Sequence, residues 1–206
     1  YSDRDICVFT EDVDELAMEA IRKAVAASFS TEPQSVACYR LSTVDEMVRG
    51  GSLFLWHLRL EGHLRYDPDD IAAEALAALV PYGHFRRDIA RFRGVFDDVA
   101  EEFEATGTLS TFELHVLSVV TRNICMLLTV RAGHPVFGRR GVYQAARTLH
   151  PRLPLPEDAW TRMIAGHLTF MRDVAVPGHE EQATPSEEML LSSVRQVIEF
   201  AADLVD

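Results

Sequence analysis

The sequence predicts an α+β chain, with a small mixed sheet and its helices over residues 1–67 and an all-α, up-and-down helical bundle over 68–206. Two observations predict this. Apolar, β-prone runs occur only in the first third, at Ile6 to Phe9 and Val36 to Leu41. After Tyr66-Asp67-Pro68-Asp69-Asp70 the β signals fade and every apolar pattern has helical period. A chain of 206 residues can form one domain or two small ones and still bury a sizeable core.

Each element has its own signal. Ile6 to Phe9 reads as the first strand. From Asp12 to Phe29, Val13, Leu16, Ala17, Ala20, Ile21, Ala24 and Val25 recur at spacings of three and four behind acidic residues, which predicts an amphipathic helix. Pro33 breaks that pattern, and Val36 to Leu41 reads as the second strand. Thr43 and Glu46 have the spacing of a capping box opening a short helix, ended by Gly50-Gly51. Ser52 to Glu61 reads as another helix, with His57 inside it, and His63 to Tyr66 as a short strand. The helices expected beyond the boundary span Asp69 to Val80, Phe85 to Ala105, Thr111 to Ala132, Arg139 to Leu149, Glu157 to Val174 and Ser186 to Leu204. Turn residues separate them, among them Pro81-Tyr82-Gly83, Thr106-Gly107, Gly133-His134-Pro135 and Pro151 to Pro156, and Val176 to Pro185 reads as a linker. The helix from Thr111 is the most apolar and is expected at the centre of the bundle.

Composition narrows the function classes. A net charge of -12 argues against a surface that coats nucleic acid, because neutralising phosphates needs clustered Lys and Arg. No run of about 18 apolar residues predicts a membrane span. Cys7, Cys38 and Cys125 are odd in number and lack metal-ligand spacing, which fits a reducing, cytoplasmic setting better than a disulfide framework. The apolar helices offer a homodimer face as readily as an internal core. His63, His84, His115, His150, His167 and His179 form no metal spacing.

The residues that point to chemistry open the chain: Tyr1-Ser2-Asp3-Arg4-Asp5-Ile6-Cys7-Val8-Phe9. In an extended chain positions i and i+2 project to one face, so Asp3 and Asp5 can aim two carboxylates at one point. Mg²⁺ prefers such hard oxygen ligands and is held by one or two carboxylates together with substrate phosphates. An acidic strand entrance would give the same pattern without chemistry.

This opening resembles the Ser-Asp-x-Asp strand of the DNA-polymerase-β-like nucleotidyltransferases, especially the small bacterial ones. The resemblance continues through a helix, a strand and a helix into Gly51-Ser52-Leu53-Phe54-Leu55-Trp56-His57-Leu58-Arg59-Leu60-Glu61-Gly62, covering roughly the first third of the chain. It implies a truncated nucleotidyltransferase-type sheet whose N-terminal part, including the Gly-Ser turn of the family, lies upstream of Tyr1. It also implies Asp3 and Asp5 as catalytic Mg²⁺ ligands, Ser2 as a nucleotide-binding residue, a nucleoside triphosphate donor with ATP as the expected one, and a hydroxyl acceptor. The family's third carboxylate has no counterpart in Ser35-Val36-Ala37-Cys38-Tyr39-Arg40-Leu41.

The helical half resembles the HEPN-like or substrate-binding bundles that accompany such domains. Arg122-Asn123 matches the start of the HEPN nuclease motif, but His134 falls beyond Gly133, so RNase activity is not expected. Arg122 is instead expected to pair with Glu101, Glu102 or Glu104. Glu113, in a first helical turn, is the candidate base that such a domain would contribute, against a plain capping role. Two functions stay open: transfer of a nucleoside monophosphate to a small alcohol, protein side chain or RNA end, and a catalytically weak, antitoxin-like module that binds nucleotide or a protein partner.

Overall fold

A computed structural model describes residues 4–28, 34–139, 141–172 and 185–205. The chain is mixed α+β and mostly helical, and it divides into two compact units, residues 1–83 and 84–206.

In the first unit, β1 (Arg4–Thr10), α1 (Glu15–Ser28) and β2 (Gln34–Arg40) form a β-α-β unit whose strands pair in parallel, with Asp5 opposite Ser35, Cys7 opposite Ala37 and Phe9 opposite Tyr39. Helices α2 (Leu41–Arg49), α3 (Leu53–Glu61) and α4 (Ile71–Ala77) follow. Val44, Leu55 and Leu79 form the buried core here, and Phe9, Tyr39, Met47, Phe54 and Trp56 pack around it. Of α1, Met18, outside the predicted stripe, is the buried residue, while Leu16 of the stripe stands 84% exposed.

Two expectations are corrected here. The segment from His63 to Tyr66 is irregular rather than a strand. A strand needs a ladder partner, β1 and β2 form the one sheet among the described residues, and Leu64 and Tyr66 are left exposed. The helix expected to open at Thr43 with a Thr43/Glu46 capping box starts at Leu41, directly from β2, and its N-cap residue, Arg40, makes no side-chain cap. The division between units falls beyond residue 67 because α4 packs on α2 and α3. Asp67 fixes the start of α4, its two carboxylate oxygens accepting from the backbone N–H groups of Ala72 at 3.1 Å and Ala73 at 2.9 Å.

The second unit contains α5 (Phe85–Thr106), α6 (Thr111–Arg131), α7 (Val142–Leu149), α8 (Glu157–Arg172) and α9 (Glu187–Asp203). Helix α6 packs against the other four and buries Leu117, Val120, Ile124, Cys125, Leu127 and Leu128, the central position its apolar content predicts. It is the one described helix long and apolar enough to cross a membrane, and here its apolar side chains are the core of the unit. Most of the linker expected from Val176 to Pro185 lies outside the described residues.

Candidate functional site

β1 alternates: Asp5, Cys7 and Phe9 share one face, and Ile6, Val8 and Thr10 the other. Parallel pairing puts Ser35, Ala37 and Tyr39 on the first face beside them. Phe9 and Tyr39 pack on the Val44/Leu55/Leu79 core, so Asp5 and Ser35 share its face at the amino ends of both strands, and both are exposed. Among the described residues no hydrogen bond or ion pair engages Asp5. Ser2 and Asp3 lie outside the described residues.

At the opposite ends of the strands every acid that makes a contact serves the fold. Asp12 accepts from the Ser42 backbone N–H at 3.2 Å and from its hydroxyl at 2.7 Å, joining the end of β1 to the start of α2. Asp14 accepts from the Ala17 N–H at 2.8 Å and so caps α1. Arg40 donates to the Val13 carbonyl at 2.8 Å and lies 3.5 Å from the Glu15 carboxylate. Asp12-x-Asp14 thus repeats the spacing of Asp3-x-Asp5 with a structural purpose. The capping signal, an Asp three residues before a helical N–H, was readable in the sequence.

Cys7 and Cys38 lie on adjacent strands, but Cys38 neighbours the register partner of Cys7 and so projects to the opposite face. Burial, and then the nearby Cys38, pushes the Cys7 thiol up to about 12. Burial alone does the same to Cys125. Both thiols are therefore protonated at neutral pH.

In the second unit Glu113 is committed. Its carboxylate accepts from the Ser110 N–H at 2.5 Å while the Ser110 hydroxyl accepts from the Glu113 N–H at 3.3 Å, a reciprocal capping box at the start of α6, and Glu113 is buried. The Arg122 guanidinium donates to the Phe137 carbonyl at 2.8 Å, tying α6 to the segment that follows it.

Sequence spacing gave no sign of one pair. His115 of α6 and His167 of α8 bring their Nδ1 atoms to 2.8 Å with ring planes 12° apart, beside Phe112 and Phe170. One Nδ1–H donates to the other ring's lone pair, so protonating both rings breaks the bond. Burial, and then the charge of Arg139, holds His115 below the usual imidazole value. A histidine whose folded-state value is depressed takes up its proton more readily in the unfolded chain. Its stabilisation is therefore complete above the unfolded value near 6.5 and is lost as pH falls through the depressed folded value. Urea midpoints of the second unit should accordingly drop between pH 7.5 and pH 5, and a His115→Gln/His167→Gln variant should flatten that slope; an unchanged slope in the variant would remove the pair as its cause.

No protein-family model, curated protein or solved structure matches this chain. Among the described residues no three His, Cys, Asp or Glu side chains gather as a metal-holding group. Mg²⁺ does not require one, since one or two carboxylates with substrate phosphates suffice, and the exposed, unengaged Asp5 suits that role.

Proposed function

We propose that the chain is a nucleotidyltransferase that moves a nucleoside monophosphate from a nucleoside triphosphate, with ATP as the expected donor, to a hydroxyl acceptor. The observation that carries the proposal is the exposed Asp5 at the amino end of β1. It is the acid of the first strand that no described contact uses, whereas Asp12 and Asp14 at the other end are spent on the fold. The resemblance of the segments from Tyr1 to Phe9 and from Gly51 to Gly62 to the polymerase-β-like enzymes supports the same reading.

In this reading Asp3 and Asp5 hold Mg²⁺ and Ser2 binds the nucleotide. The bound ion supplies neutralisation of the charge that builds on the triphosphate oxygens. The chain's own contribution is to keep the Asp5 carboxylate on the exposed start of a strand anchored by Phe9 in the core. β2 carries no acid from Gln34 to Arg40, so deprotonation of the acceptor falls to a group outside the two strands. That acid-free strand favours a second reading, in which the site binds nucleotide without transferring it.

Thermal unfolding with each nucleoside triphosphate, with and without Mg²⁺, tests both. A nucleotide at 100 times its dissociation constant should add about 2.7 kcal/mol of stability, and this gain should need Mg²⁺ and vanish in Asp3→Asn/Asp5→Asn. Pyrophosphate release on adding a hydroxyl acceptor then separates transfer from binding alone. If no nucleotide shifts the wild type, or the double variant shifts equally, both readings are wrong.

A further inference from the structure

A cleft of about 440 Å³ opens in the second unit between α7, the segment 153–156 and α9. It is shallow and open to solvent, with Arg147, Ser192 and Gln196 exposed. Leu153, Pro154 and Met189 give it an apolar wall, and Arg147, Ser192 and Gln196 give it polar groups.

The placement of Arg147 is built into the core. Tyr143, buried and stacked on Trp160 at 5.0 Å, donates its hydroxyl to the Leu155 carbonyl at 3.2 Å and accepts from Arg147 Nη1 at 2.9 Å. The guanidinium is thus pinned by a neutral hydroxyl, with no described carboxylate within the 4.0 Å of an ion pair; Glu157 acts on it only at longer range. Its remaining N–H donors are uncommitted among the described residues. Across the cleft the Ser192 hydroxyl accepts from Gln196 Nε2 at 3.0 Å, which leaves its own O–H to donate. In a chain of net charge -12, one opening thus brings together a guanidinium held by a neutral hydroxyl, a hydroxyl donor and an apolar wall.

We infer that this cleft binds a small amphipathic carboxylate, with the carboxylate on Arg147 and Ser192 and the tail against Leu153, Pro154 and Met189. The assignment is independent of the nucleotide reading. Amide chemical-shift titrations of the full chain with hexanoate, 1-hexanol and inorganic phosphate test it. Hexanoate should give saturable shifts at Arg147, residues 153–156 and residues 189–196, with 1-hexanol and phosphate each about tenfold weaker, since a charge-assisted bond and the tail contact are each worth roughly that factor. Arg147→Gln should bring hexanoate down to the level of 1-hexanol. Arg147→Lys, which keeps the charge and loses the fork, and Ser192→Ala should each weaken it partially, and these two serve if Arg147→Gln does not fold. Absence of saturation, shifts confined to other surfaces, phosphate binding as tightly as hexanoate, or variants with wild-type affinity would each overturn the assignment.

Discussion

Gly51→Ala is expected to destabilise the first unit by about 3 kcal/mol, a sum of backbone strain and a lost contact. Gly51 has φ +64°, in the left-handed region, where a Cβ costs about 1–2 kcal/mol. A Cβ there would also lie 2.6 Å from the Pro81 carbonyl oxygen and 2.9 Å from that of Val80. These atoms belong to backbone, so the segment after α4 must move away from the turn between α2 and α3. That movement pulls Val80 from two contacts: its carbonyl accepts the Trp56 indole N–H at 3.1 Å, and its own N–H donates to the Val48 carbonyl at 3.4 Å. Trp56 and Trp160 are the two tryptophans of the chain, one in each unit, so urea unfolding followed by Trp56 emission in a Trp160→Phe background reads the first unit alone. Gly107, in the second unit and read there by Trp160 emission in a Trp56→Phe background, is the control: it has φ +73° but open space where a Cβ would stand, so Gly107→Ala should cost only the backbone strain. Equal losses for the two variants would show that the Pro81 approach carries no weight.

Ile124→Ala is expected to cost the second unit about 2–5 kcal/mol, the range for deleting a fully buried branched side chain and leaving a cavity. Ile124 is completely buried on α6, the helix against which the other four pack, so few neighbours can move to fill the space without disturbing a second interface. Met171→Ala, at a side chain 59% exposed, should change stability by less than about 0.5 kcal/mol. Trp160 emission in a Trp56→Phe background reports both. An Ile124→Ala loss below about 1 kcal/mol would mean that the unit collapses around the cavity and that α6 is not the rigid centre its burial implies.

Local signals were legible from residues alone wherever one element decides its own structure. The first strand, the helix after it, the second strand and the helices of the second unit follow from period and turn chemistry, and α6 was recognisable as central because it is the most apolar helix of its half. The candidate Asp-x-Asp was visible for the same reason, since alternation on a strand is a local property. Features that need two distant segments were not legible. The segment from His63 to Tyr66 has strand-like residues, but a strand exists only where another offers its backbone. Glu113, a candidate base set against a favoured capping role, is a cap, and that signal was local: Ser110 stands three residues before it and closes the box around its carboxylate. The His115–His167 pair and the Arg147 cleft join helices far apart in the chain, through Tyr143 and the segment 153–156 in the second case. The sequence by itself determined the α+β class, the order of the elements apart from the segment from His63 to Tyr66, and the helix at the centre of the second unit, because period and capping act within a few residues. Tertiary structure decided that Asp12 is spent on Ser42 and which distant polar groups meet, because hydrogen bonds and burial depend on which surfaces the packing brings together.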